Sequence, residues 1–280
     1  MSKVRILRYA VLIALILAFC ALVPVRADTI AEKWVVYYAD KAPAEQFLPY
    51  DLIVFDSETH PPLRPLMHRG KVLLGYLSLG EAENYRPYFK KLQAKNLLLV
   101  PKKNWKGHYV VDIRNPAWSA MVIEELIPAL LHQGFDGIMI DTMDSPLQLE
   151  ADQPARYPGM KEAAVRLIKA IREHYPNITI MLNRGFKLLP SVEREIDMVL
   201  AESILARSDS ETKAGEAYQR VADMLRQVQS RAPHVKVYTL DYWPPEDKAG
   251  MAAIYEAQRQ QGFNPYVATP DLHSLIPEPQ

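Results

Sequence analysis

The sequence repeatedly closes a short apolar run on an acid. The clearest case is Gly134-Phe135-Asp136-Gly137, followed by three apolar residues and then Asp141 and Asp144. Earlier runs end on Asp40, on Asp56 with Glu58, on Glu81 with Glu83, and on Asp112. Later ones end on Asn183, Glu202 and Asp241. Aspartate favours turns, so one or two such endings would need no special reason. Occupancy of nearly every ending by a carboxylate does. Aromatic residues accompany the acids: Tyr38, Tyr76, Tyr85, Trp105, Tyr242 and Trp243. Sugar hydroxyls need acceptors and sugar C–H faces stack on rings, so this mixture suits a carbohydrate. Two carboxylates flanking a cleft are what glycoside hydrolysis uses, one as acid and the other as nucleophile or base.

Other chemistries find less support. The seven histidines are scattered, with no His-x-x-x-His or comparable spacing, which argues against a zinc-dependent deacetylase and against any metal site. No Gly-x-Ser-x-Gly elbow is present, so a serine nucleophile is not indicated. Several residues also have plainer readings. Asp136, between two glycines, turns the chain into a strand. Arg86 and Arg114 are ion-pair partners for acids that would be costly to bury alone. His108 reads as a surface or strand-edge residue beside Asp112. Tyr76 and Trp105 could equally be core rings, and Asp144, just before Ser145-Pro146, could shape a loop rather than serve a site.

The elements that must position these residues follow one rhythm. Strand candidates lie at 34–40, 52–58, 72–81, 109–114, 137–141, 178–185, 196–203, 235–242 and 266–269. Most are continuously apolar, the pattern of parallel strands covered on both faces. Helical periodicity fills 117–133, 161–174, 211–232 and 250–261, the first opening after Asn115-Pro116. This α/β alternation predicts a single-domain (β/α)8 TIM barrel, whose usual length is about 250 residues. A doubly wound open sheet is the alternative, but no glycine-rich phosphate fingerprint follows the first strand. Nine candidates for eight places make one surplus, either 109–114 or 266–269.

Residues 1–27 carry Lys3, Arg5 and Arg8, an uncharged apolar run from Tyr9 to Val23, and a small-x-small site at Val25-Arg26-Ala27. This reads as a secretory signal peptide cleaved near Ala27, giving a mature domain of 28–280 and a secreted or periplasmic location. The apolar run is shorter than the roughly 20 residues a spanning helix needs. The one cysteine, Cys20, falls inside the signal, so the mature chain is expected to rely on its core alone. Removing Lys3, Arg5, Arg8 and Arg26 leaves 29 bases against 33 acids, which gives no basic footprint for nucleic acid.

The sequence resembles glycoside hydrolase family 114, the endo-α-1,4-polygalactosaminidases, and the hydrolase domain linked to Pel exopolysaccharide. The resemblance is carried by Tyr76-Leu77-Ser78, Gly80-Glu81 and Tyr85-Arg86, then by Trp105 and Val111-Asp112-Ile113-Arg114. It continues through the Gly134–Asp144 stretch to Asn183 and Glu202, in order over most of the mature chain. It implies Asp141 as nucleophile and Glu202 as general acid/base of a retaining glycosidase acting on a galactosamine-rich polymer. Expected substrate contacts are Tyr38, Asp56, Tyr76, Glu81, Arg86 and Trp105, together with Asp112, Asp144, Asn183, Asp241 and Tyr242. Two departures mark this chain: Asp141-Thr142-Met143-Asp144 stands where the family reads Asp-Asn-x-Asp, and Glu202-Ser203-Ile204 where fungal members read Glu-Gln-Cys. The expected partner is a polysaccharide, with no cofactor, nucleic acid or membrane after signal cleavage, and with the protein acting as a monomer. Acids focused in a cleft would attract a cationic, de-N-acetylated sugar. A reading of a different class is a catalytically silent barrel that binds carbohydrate for exopolysaccharide or envelope processing.

Overall fold

The computed structural model describes residues 32–205 and 211–279, so the expected signal peptide and Cys20 lie outside the described residues. Lys33–Gln280 forms one compact unit. Eight strands make one parallel sheet: β1 (Trp34–Tyr37), β2 (Leu52–Phe55), β3 (Val72–Ser78), β7 (Gly137–Asp141), β8 (Thr179–Asn183), β9 (Met198–Glu202), β10 (Lys236–Tyr242) and β11 (Asn264–Ala268), paired in that order. Three further strands, β4 (Glu81–Glu83), β5 (Leu98–Pro101) and β6 (His108–Val111), form a separate antiparallel sheet inserted between β3 and β7. At the seam between β1 and β11, the Trp34 indole donates to the Asn264 carbonyl at 2.9 Å and packs edge-on against Tyr266. The result is a nearly closed (β/α)8 barrel.

The continuous apolar runs are explained by burial on both faces: every residue of β1 and β2, and of β3 beyond Val72, is buried. The surplus candidate is 109–114. It is not a barrel strand, because β6 pairs antiparallel with β4 and β5, and β7 is the strand that pairs with β3. The 264–268 segment is the eighth barrel strand. β4 and β5 carry three and four residues and leave no periodicity long enough to read.

The helix expected at 117–133 forms in three pieces. Pro116–Met121 opens with the Asn115 side chain accepting from the Ala117 N–H, and a π turn over Val122–Leu126 joins it to Ile127–Gln133. Pro128 has no N–H to return to the carbonyl four residues earlier, so the regular ladder is interrupted where the π turn sits. Gly134 then closes the helix at φ 107°, a left-handed conformation that glycine adopts without strain.

The rest of that motif sets strand β7 in place. Asp136 accepts from the Leu73 N–H at 2.9 Å, pinning the start of β7 to β3. Gly137 lies so close to β8 that an added Cβ would stand 1.9 Å from the Thr179 carbonyl oxygen. Alanine at 137 must therefore push β7 and β8 apart, and Gly137→Ala is expected to destabilise the barrel by roughly 1–3 kcal/mol or more. Chemical denaturation of the two proteins checks this; an unchanged midpoint would contradict the close approach.

Candidate active site

Side chains on barrel strands alternate inward and outward. Met139 and Asp141, Leu200 and Glu202, and Leu240 and Tyr242 are spaced two apart, and all six line one cavity of about 750 Å³ at the C-terminal ends of the strands. Asn183 sits between the two carboxylate strands on β8. Its amide nitrogen donates to Asp141 Oδ1 at 2.9 Å and to Glu202 Oε2 at 2.8 Å. Those two oxygens are therefore at most 5.7 Å apart, the sum of the two bonds. Tyr242 donates its hydroxyl to the other oxygen of Glu202 at 2.6 Å.

The chain turns sharply after each of these three residues. Thr142, Arg184 and Ser203 have φ of 65°, 55° and 55°, left-handed values that non-glycine residues adopt at a cost of about 1–3 kcal/mol. For Thr142, a β-branched residue, local bonds hold the strained turn. Its hydroxyl donates to the Asp141 carbonyl at 2.7 Å, accepts from the N–H groups of Gly80 and Glu81, and pairs with the Ser78 hydroxyl. The threonine that replaces the family's amide thus clips the end of β7 to the segment after β3. Gly80 is needed for that approach, since a Cβ there would lie 2.2 Å from the Thr142 carbonyl oxygen.

Burial, and next the charge of Glu202, push the Asp141 carboxyl up to about 6, against the hydrogen bonds from the Thr142 backbone and the Asn183 amide that favour its anion. Burial likewise raises the phenols of Tyr38, Tyr76 and Tyr242, and the neighbouring carboxylates raise them further, so all three remain hydrogen-bond donors. Around this centre the other acids are tied down. Arg86 holds Asp56 at 2.7 Å and Glu83 at 3.3 Å, with its guanidinium between the rings of Tyr76 and Tyr85. Glu81 accepts from Lys102 at 3.0 Å and lies 3.3 Å from His108 Nδ1, and these partners hold its carboxyl below the usual range despite burial. Among the described residues, no group of three His, Cys, Asp or Glu side chains is placed to hold a metal ion.

The glycoside-hydrolase family GH114 matches residues 23–279. The chain belongs to that family. As a GH114 glycosidase it is similar to a Deinococcus radiodurans protein, 28% identical over 240 residues, which is 81% of this chain and 76% of that protein. A Thermotoga maritima protein is 23% identical over 226 residues, 75% of this chain and 69% of its own length. Among solved structures, the glycoside hydrolase domain of PelA from Pseudomonas aeruginosa has a TM-score of 0.74 at 24% identity, covering 88% of this chain and 98% of that one. Aspergillus fumigatus Ega3, solved in complex with galactosamine, has a TM-score of 0.66 at 15% identity and covers 89% of this chain and 95% of its own. These two likenesses speak to the fold.

Most of the residues singled out from the GH114 sequence line the one cavity: Tyr38, Asp56, Tyr76, Glu81, Arg86, Trp105, Asp141, Asn183, Glu202 and Tyr242. Three lie elsewhere. Asp241 falls between the inward residues Leu240 and Tyr242, so it faces out of the barrel, accepting from Gln258 and from the Leu205 N–H. Asp112 follows β6 of the inserted sheet and is paired with Arg114 at 2.7 Å. Asp144 begins the helix Asp144–Asp152 and lies 3.6 Å from Arg184. His108, expected at a surface or strand edge, is instead a cavity residue beside Glu81. The turn Pro270–His273 also lines the cavity and carries no expected site residue, since the apolar run 266–269 closes on Thr269 and Asp271 stands two residues beyond it.

Holding Asp141 near 6 rather than its ordinary 3.8 has a stability consequence. Its ionisation in the folded protein costs about 3 kcal/mol, a cost absent below about pH 4 and complete above about pH 6. Asp141→Asn keeps an acceptor for Asn183 and removes that cost. The variant is expected to unfold at a higher temperature than the parent at pH 7.5, with the gain vanishing near pH 4. A gain of the same size at both pH values would contradict the assignment.

Proposed function

We propose that this protein hydrolyses an α-1,4-linked, galactosamine-rich polymer by double displacement at Asp141 and Glu202. The observation that carries the reading is the shared Asn183 amide, which limits the nearest oxygens of the two carboxylates to 5.7 Å. Retaining glycosidases hold their carboxyl groups roughly 5–5.5 Å apart, against about 6.5–9.5 Å when a water must fit between substrate and base. The galactosamine bound in the Ega3 structure supports an amino sugar as substrate.

In the first step Asp141 attacks the anomeric carbon while Glu202 delivers a proton to the departing glycosidic oxygen, leaving a glycosyl ester on Asp141. In the second, Glu202 takes a proton from water, which attacks the same carbon and releases Asp141. The Asn183 amide donates to both carboxylates throughout, and Tyr242 orients Glu202. Residues 1–27 support export, with a mature chain that begins at Asp28.

Asp141→Asn and Glu202→Gln are each expected to lower hydrolysis of partly de-N-acetylated galactosaminan by at least about a hundredfold while polymer binding is kept. Because Asp141 must be ionised to attack, kcat/KM of the parent is expected to fall below about pH 6, where that carboxyl takes up its proton. Binding without cleavage by the parent would favour the silent carbohydrate-binding barrel instead.

A further inference from the structure

The carboxylates on the cavity wall differ in what they have left to offer a ligand. Asp56 accepts from both terminal nitrogens of Arg86 and from the N–H groups of Glu58 and Thr59. Glu83 accepts from Tyr76 and Arg86, and Glu81 is held by Lys102, Ser145 and His108. These three are part of the framework, with counter-charge already supplied by Arg86 and Lys102. Asp141 and Glu202 face the reacting bond.

Asp271 is different. It is exposed, it lines the same cavity, and among the described residues no lysine or arginine lies within ion-pair distance of it. Its Oδ1 accepts from the Thr269 hydroxyl at 2.7 Å and from the His273 N–H at 3.3 Å, so a local turn presents the carboxylate. Those two bonds, and then the nearby His273, hold its carboxyl below the usual range, which keeps it ionised at mildly acidic pH. The turn itself is anchored. Leu272 is buried, sits at φ 56°, and its carbonyl accepts from the Tyr38 N–H at 2.9 Å.

The position of Asp271 in the barrel gives the cavity two unlike walls. It follows β11, next to β1, whereas the inserted sheet follows β3, so the two stand nearly opposite each other across the mouth. On the insertion's wall the exposed ring of Trp105 stands 5.8 Å from the His108 ring, beside Glu81 and Glu83, which Lys102 and Arg86 already hold. The acids on that wall are already compensated, while Asp271 is left to attract a cation within the range over which exposed charges act.

Taking the amino-sugar reading of the site as given, we propose that Asp271 is a specificity-determining residue that pairs with the free ammonium of a galactosamine unit. The cavity would thereby distinguish a free from an acetylated amine at one position of the bound polymer.

The test uses short galactosamine oligosaccharides and their N-acetylated counterparts. Their binding is measured by calorimetry in the Glu202→Gln background, so that ligand persists, with and without Asp271→Asn. Asparagine keeps an acceptor for Thr269 and His273, so the turn survives and only the charge is lost; a matching melting temperature verifies this. The expected result is about tenfold weaker binding of the cationic oligosaccharide at low salt, a difference that shrinks as salt rises, and no change for the N-acetylated one. Asp271→Glu is expected to restore part of the loss. Equal weakening of both ligands, no change in either, or absence of binding to both would overturn the proposal. Hydrolysis by the protein with Glu202 intact is followed in parallel: a charge-selective binding difference without any cleavage would overturn the hydrolase reading and leave the role of Asp271 standing.

Discussion

One amide group with two N–H bonds holds the two central carboxylates of this barrel within reach of each other. Asn183 is 4% exposed, and its nitrogen has one acceptor on β7 and another on β9. That arrangement requires three neighbouring strands to end in register, with each residue pointing inward. The ladders provide it: Ile140 pairs with Leu182, which sets Asp141 level with Asn183, and Asn183 pairs with Leu200, two residues before Glu202. The offset on β9 is the stagger a closed barrel imposes. Two anions so close would repel in a buried site, and the donors around them offset part of that repulsion. The left-handed turns after all three residues are the local expense of ending the strands so abruptly.

Around this centre, charge is managed in two ways. Arg86 and Lys102 hold Asp56, Glu83 and Glu81 as a rigid wall, and removing either cation would leave a carboxylate uncompensated at low exposure. Acids that the barrel does not turn inward are engaged elsewhere: Asp241 with Gln258, Asp112 with Arg114, and Asp144 with Arg184. A count of strand-end acids therefore overstates the negative charge that a ligand meets. What remains uncompensated on the cavity lining is concentrated at Asp141 and Glu202 and at Asp271.

The barrel was legible in the sequence because strands buried on both faces must be apolar throughout, and little else produces that pattern. The motif around Gly134 was legible for a related reason: each residue has one local task, from helix cap to strand start to reactive end. Asp241 was misplaced because strand parity decides its direction, and parity depends on a strand boundary that composition does not fix to one residue. The inserted sheet was legible only as a surplus strand: β6 has the apolar content of a barrel strand, while its partners β4 and β5 are too short to announce themselves. Asp271 was not legible because the apolar run 266–269 closes on Thr269 and the acid stands two residues further on, past Pro270.

The central claim is that Asp141 and Glu202, held by one amide, act as a nucleophile and an acid/base across a covalent intermediate. Proton NMR of the first product formed from an α-linked galactosamine oligosaccharide, recorded before mutarotation, tests it most directly. The α anomer should form first. The β anomer would mean a single displacement by water and would contradict the role given to Asp141.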